Sequence, residues 1–356
     1  MDYKKDRLLT EGEILGLLQE RKDLFFPLKI KSIIGEPAAV GNYRADAQIA
    51  LSWRNNAASF LAEFKSRTSP RLAEEAIQQL KRLIINNQAL NPLLVVPFLS
   101  KTIVSRIEQE EISGIDLNGN YLIQTPQMLA IRLDRKNEFP ESQPIKKIFS
   151  GNSSIAARVF LAAKRKRFES VKEIYSTIEN LGGGLSLSAI SKVLKGLEDE
   201  LIIGREGGGI SLLQPEKLLD RLRDDYRPPK ILATLRIKLP APGAVSIQDF
   251  NRLLQPPGRW VLDGEGSIER YNISARAEAP EAYVTDLTPF MPMENERFFN
   301  ATLKKTLDSF PYFDRREGNG VSWVSPIQCY LELSQMGKRE RELVEPIRQS
   351  ILEGLK

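Results

Sequence analysis

The chain has 356 residues, 42% hydrophobic and 27% charged, with a net charge of +5; that is enough for two or three domains with their own cores, and basic enough to favour a polyanionic partner. One cysteine, Cys329, and no histidine exclude a disulfide framework, Ser-His-Asp and Cys-His triads, histidine general bases and the usual zinc sites. No apolar run approaches the roughly 20 residues of a membrane span, and Met1 to Glu13 carry no signal-peptide core, so a cytoplasmic location without a membrane partner is expected.

Thr10 to Lys22 reads as a helix capped by Thr10, with Glu13 at the capping-box position and Ile14, Leu15, Leu17 and Leu18 inward. Phe25 to Ile34 reads as an edge strand and Gly35 to Asn42 as a loop. Ala45 to Trp53 alternates like a half-buried strand, Asn55-Asn56 supplies a turn, and Ala57 to Phe64 is a second apolar run, which together predict a hairpin. Antiparallel pairing brings Asp46, at the start of the first strand, to Glu63 and Lys65, which share a face at the end of the second. Two hard carboxylates suit Mg²⁺ or Mn²⁺. A lysine beside them could position a water or stabilise charge on an attacked phosphate. The plainer alternative is a surface hairpin with solvated charges.

Arg71 to Asn87 is amphipathic and reads as a helix, and Asn91 to Ser100 is an apolar run of the kind buried on both faces, ended by Pro97. Hairpin, helix and buried strand resemble the core of the PD-(D/E)xK nuclease superfamily, with Asp46, Glu63 and Lys65 at the motif positions and Gln78 or Gln79 as a polar neighbour. The resemblance covers about the first third of the chain, and Ala45 stands where the motif name has proline. It implies a restriction-endonuclease-like core, Mg²⁺ or Mn²⁺ as cofactor, and DNA as substrate. It also admits an accessory glutamate from the first helix, among Glu11, Glu13 and Glu20, whose plainer role is surface charge.

Lys101 to Glu111 reads as a helix, and Ile112 to Ile123 as a strand broken at Asn118-Gly119, with Asp116 and Asn118 bonding the local backbone. This layout, ahead of the segment that follows, resembles AbiEi-like bacterial proteins, the antitoxins and regulators of type IV toxin–antitoxin systems. Apolar residues thin out over Leu133 to Asn152, which places a nuclease-like domain at 1–140 and a linker at 141–153.

Ser154 to Lys164, Val171 to Glu179 and Ser186 to Glu200 read as three helices, followed by two short strands around Gly204 to Gly209. The segment 154–229 is thus similar to a winged helix-turn-helix. In such a module Ser186, Ser188, Ser191, Lys192 and Lys195 present the recognition face and Arg205 the wing. The alternative use of such a module is protein contact or dimerisation. Lys164 to Arg167 could contact a flanking backbone, though four cations at a helix end need no further reason.

A helix is expected at Pro215 to Asp225. Beyond it, 230–356 reads as a mixed α+β domain resembling the C-terminal part of the same AbiEi-like proteins. Strands are expected at Ile231 to Leu239, Trp260 to Leu262 and Glu281 to Leu287, and helices at Ser246 to Leu254, Gly264 to Tyr271, Phe298 to Leu307 and Lys338 to Leu355. Asp263, Glu265 and Asp286 have no diagnostic metal spacing. No Walker or Rossmann phosphate loop occurs, so no nucleotide cofactor is expected. The fold class is therefore α/β and α+β multidomain. Two functions stand: a metal-dependent DNA nuclease, and a non-catalytic DNA-binding regulator of AbiEi antitoxin type, with a second copy of the chain and a cognate toxin as candidate partners.

Overall fold

The structure, a computed structural model, describes residues 9–35, 44–85, 89–139, 146–240, 260–272, 280–337 and 343–355. The chain divides into two compact units, Met1–Ile145 and Lys146–Lys356, each mixed α and β. Among the described residues no helix is long and apolar enough to cross a membrane.

In the first unit Thr10 caps α1 (Glu11–Glu20): its hydroxyl accepts the Glu13 N–H at 3.3 Å, and the Glu13 carboxylate accepts the Thr10 N–H at 2.7 Å. The strand expected from Phe25 starts later. Lys22–Phe25 forms a 3-10 turn, Pro27 has no N–H for a ladder, and β1 spans Lys29–Gly35. Then come β2 (Ala47–Trp53) and β3 (Asn56–Phe64), an antiparallel hairpin pairing Ala47 with Ala62 and Trp53 with Asn56. The helix α2 (Pro70–Ile85) carries the chain to β4 (Asn91–Val96), parallel to β3. After α3 (Lys101–Gln109), β5 (Ser113–Asp116) runs parallel to β4, and β6 (Tyr121–Thr125) and β7 (Met128–Arg132) return antiparallel. The seven strands lie in sequence order, and the sheet curls to bring β7 back toward β3.

Both faces of β4 are covered, which is why Leu93 to Val96 is apolar and buried. Leu93 and Val95 pack with Phe60, Ala62, Phe64 and the α1 residues Ile14, Leu17 and Leu18; Leu94 and Val96 pack with Ala76, Ile77 and Leu80 of α2 and Ile103 and Ile107 of α3.

In the second unit α4 (Ser154–Ala162), β8 (Arg167–Phe168), α5 (Val171–Asn180), α6 (Leu187–Asp199), β9 (Ile203–Glu206) and β10 (Gly209–Leu212) build three helices on a small sheet of order β8-β10-β9. After α7 (Pro215–Asp224) come β11 (Ala233–Ile237), β12 (Trp260–Leu262), α8 (Gly264–Tyr271), β13 (Glu281–Val284), β14 (Ala301–Lys305), β15 (Arg316–Gly318), β16 (Val321–Trp323), α9 (Pro326–Leu333) and α10 (Glu345–Leu352). Their sheet has the order β11-β14-β13-β12-β16-β15. One hydrophobic core, from Ile148 to Ile351, takes in α4 to α7 together with α9 and α10, so residues on both sides of position 229 share it.

Beyond the later start of β1, the strands β7, β15 and β16 add to those expected, and two further elements differ. The helix expected at Phe298 to Leu307 is the strand β14: its ladders to β11 and β13 turn Ala301 and Leu303 into the core, a choice made by tertiary pairing in a run too short for periodicity to decide. The helix α9 is an addition to the expected elements, although Ser325 caps it by accepting the Gln328 N–H and Pro326 occupies its first turn. The expected helix at Ser246 to Leu254 and residues 36–43, 140–145 and 338–342 lie outside the described residues.

Candidate active site

The hairpin places three of the expected residues together at one end of the first unit's sheet. Extending the register by one step beyond Ala47 and Ala62 sets Asp46 opposite Glu63, and the Asp46 N–H donates to Ala62 O at 3.0 Å. The Asp46 carboxylate turns back over the strand end, its Oδ2 accepting the Phe64 N–H at 2.6 Å. Glu63 is only 4% exposed. Its Oε1 accepts from Lys65 Nζ at 2.8 Å and its Oε2 from Gln79 Nε2, on α2, at 2.9 Å. Gln79 is thus the polar neighbour of the site; Gln78 is exposed and donates to Glu74 at 3.0 Å.

Burial, aided by the Asp46 and Glu11 charges, pushes the Glu63 carboxyl up to about 7 against the pull of Lys65. Asp46 is raised too, first by burial, with its bond from the Phe64 N–H opposing. Glu11, at the first turn of α1, is therefore the acid whose field reaches this site. Glu13 is taken up by the helix cap instead. The sequence marks the helix, but which of its glutamates faces the hairpin depends on how the helix packs.

The arrangement suits a hard divalent ion. Two carboxylates, with the Asp46 charge raising Glu63, carry more negative charge than Lys65 offsets, and hard oxygen donors are what Mg²⁺ and Mn²⁺ take. An ion here would be held by Asp46 and Glu63, completed by water and phosphate oxygens.

In the second unit, α6 presents Ser188, Ser191, Lys192 and Lys195 on one exposed face, opposite the buried Ile190, Val193, Leu194 and Leu197. Ser186 is occupied as the cap, accepting the Ala189 N–H at 3.2 Å. Arg205 sits on β9, exposed and 3.4 Å from Glu198. Arg167, from the basic run, lies against Gly207 and Gly209; a Cβ on Gly209 would stand 2.6 Å from its Nη2, so that glycine makes room for the guanidinium. Phe168 folds under the module, edge-on to Phe160 with ring centroids 5.2 Å apart.

Asp116 has a structural role. Wholly buried, it accepts N–H bonds from Leu99 at 3.0 Å, Asn118 at 2.8 Å and Asn120 at 2.9 Å, plus the Asn120 side-chain amide at 2.7 Å. Asp263 likewise caps α8, accepting the Gly266 N–H at 2.9 Å and a hydrogen bond from Lys304 at 3.1 Å. Beside it, the half-buried Glu332 accepts from Gly264 N–H, Tyr283 and Gln328, and Gln328 accepts from the buried Arg158 at 2.6 Å.

These buried acids make the second unit pH-sensitive. Burial raises Asp263 and Glu332, and raises Asp314 from 3.8 to about 7. A carboxyl that holds its proton more tightly folded than unfolded adds stability that is complete below its unfolded value and is lost as pH rises through the folded one. The urea midpoint of this unit is therefore expected to fall between about pH 4 and about pH 7. Asp314→Asn should flatten that fall; an unchanged slope would show that the buried carboxyl is not its source.

Comparison with known protein families, with curated proteins and with solved structures finds no match to this chain.

Proposed function

We propose that this chain is a DNA-binding phosphodiesterase: the segment 154–229 is a winged helix-turn-helix that holds DNA, and the first unit is a PD-(D/E)xK-type nuclease. The observation that carries the reading is the buried Glu63 carboxylate, which accepts from Lys65 and from Gln79 on α2 and has Asp46 opposite it on the neighbouring strand end. Packing alone does not call for charges there, since desolvating them is costly.

When bound, Mg²⁺ or Mn²⁺ supplies Lewis-acid polarisation of the phosphate and a more acidic water. Asp46 and Glu63 would hold the ion. Gln79 fixes the Glu63 carboxylate by donating to Oε2, leaving its orientation set before DNA arrives. Lys65, 2.8 Å from Glu63 Oε1, would stabilise negative charge on the attacked phosphate and orient the water.

The test is incubation of the protein with plasmid, linear duplex and single-stranded DNA, with Mg²⁺ or Mn²⁺ against EDTA, beside Glu63→Ala. Cleavage that requires the ion and vanishes in the variant is the expected result. A second reading, the non-catalytic regulator of AbiEi type with a cognate toxin as partner, draws on one observation: both Glu63 oxygens and Asp46 Oδ2 already have N–H partners within the fold. It expects DNA that is shifted and uncut in every lane.

Both readings share the winged helix. The double change Lys192→Ala and Lys195→Ala is expected to weaken duplex binding and to reduce the slope of log affinity against log salt by about 0.9 for each phosphate no longer neutralised. Titrations at several salt concentrations measure this directly, and an unchanged slope would remove α6 from the interface.

A further inference from the structure

The second unit carries an exposed aromatic surface that neither reading uses. Phe298 and Phe299, consecutive in the segment before β14, are 62% and 41% exposed. The Arg297 guanidinium lies over the Phe298 ring, 5.2 Å from its centroid, and that of Arg236, on β11, lies 4.9 Å from the centroid of Phe299.

The backbone around these rings is held. Asn295 N–H donates to Arg236 O at 2.9 Å, Lys238 N–H to Met293 O at 3.0 Å, and Asn300 N–H to Ile237 O at 3.0 Å. The Asn300 side chain bonds Leu239 in both directions, at 2.7 and 3.0 Å, and Asn295 Oδ1 accepts the Phe298 N–H at 2.8 Å. The two rings are thus displayed by a segment pinned to β11 on both sides, which lowers the entropy lost when something stacks on them. Holding two phenylalanines in water forgoes burial that a fold otherwise takes.

From this we infer that Phe298, Phe299, Arg236 and Arg297 form a stacking platform for an unpaired nucleic-acid strand. Unstacked bases lie on aromatic rings whatever their sequence, and arginine planes extend the stack while neutralising phosphate. Bases within a duplex are already stacked and cannot use it. The charge agrees with that partner: the exposed cations Arg236, Lys238 and Arg297 outnumber the exposed acids Glu294 and Glu296. The Arg236 to Glu296 pair, 3.0 Å and exposed on both sides, is the kind that gives way easily to a phosphate. The inference stands on the second unit and holds whether or not the first unit cuts.

The experiment is fluorescence anisotropy of the full chain, without divalent ions, against a labelled oligothymidine of about 20 nucleotides and a labelled duplex, for wild type, Phe298→Ala, Phe299→Ala and Phe298→Leu. The expected result is binding of the single strand that drops on the order of tenfold with each alanine and with leucine, which keeps apolar area but no π face, while duplex affinity stays unchanged. Its salt slope should be shallower than that of the duplex, because few phosphates are neutralised. Three outcomes overturn the inference: no single-strand binding by wild type, leucine as good as phenylalanine, or concentration-dependent dimerisation as the only property the variants lose. Because the changes are on the surface, melting temperatures unchanged from wild type would confirm that folding is not what was measured.

Discussion

Lys65→Met should lower metal-dependent DNA cleavage by about 10²- to 10³-fold while changing duplex affinity by less than about twofold, the size expected when one group that stabilises developing charge is lost. Methionine keeps the length of the stem and most of its packing, so the change is chiefly of charge. Lys65 Nζ sits 2.8 Å from Glu63 Oε1 in a pair whose lysine side chain is 19% exposed and whose glutamate is 5% exposed. Without it, Glu63 loses the bond that opposes its burial, and a carboxyl already pushed up to about 7 rises further. The variant should then hold a divalent ion more weakly at neutral pH and recover part of that loss as pH is raised, because deprotonation of Glu63 is what the ion requires. Single-turnover cleavage of a linear duplex across pH and Mn²⁺ concentration separates the two effects: loss of rate at saturating ion belongs to Lys65 itself, and a shifted ion requirement belongs to Glu63. Cleavage at the wild-type rate would remove the lysine from the chemistry, and a lysine needed only for folding would lower the melting temperature without this split.

Much of that site is legible in the sequence because its signals are local. The alternation of Ala45 to Trp53, the Asn55-Asn56 turn and the apolar run to Phe64 set the register, and register alone carries Asp46 to Glu63. The apolar run Leu93 to Val96 announces a strand covered on both sides, as it is. What is not legible depends on packing between distant elements. Glu11 matters to Asp46 and Glu63 only through the placement of α1, and Gln79 rather than Gln78 faces Glu63 only through the rotation of α2. The bond from Arg158 to Gln328 joins residues on α4 and α9, and no pattern within either helix marks it. The strand β14 reads as a helix because Phe298 to Leu307 is apolar enough for either, and its partners β11 and β13 decide between them.

The largest effect on stability is expected at Asp116→Ala. This carboxylate lies at the end of β5, where the chain turns through Asn118, Gly119 and Asn120 into β6. Gly119 has a φ of 91°, a conformation that glycine tolerates, and a Cβ there would meet Leu24 O at 2.7 Å. The turn is therefore tight as well as buried, and Asp116 is its acceptor: three backbone N–H groups and one amide converge on its two oxygens. One of those donors, Leu99 N–H, belongs to the segment between β4 and α3, so the same carboxylate ties that segment to the β5–β6 turn. Alanine leaves these donors without an acceptor in a place water reaches poorly, and each buried orphan costs about 1–3 kcal/mol. Allowing for relaxation and one entering water, a loss of about 3–5 kcal/mol is expected, which corresponds to a fall in melting temperature of roughly 10–15 °C for a unit of this size. Asp116→Asn should fall in between, because its amide oxygen still accepts two of the bonds while its NH₂ group faces the remaining donors. Differential scanning calorimetry of the full chain, with the transitions assigned by the Asp314→Asn shift in the second unit, would measure both. If alanine cost no more than asparagine, the carboxylate would be dispensable to the turn and the network around it would be held by Asn118 and Asn120 instead.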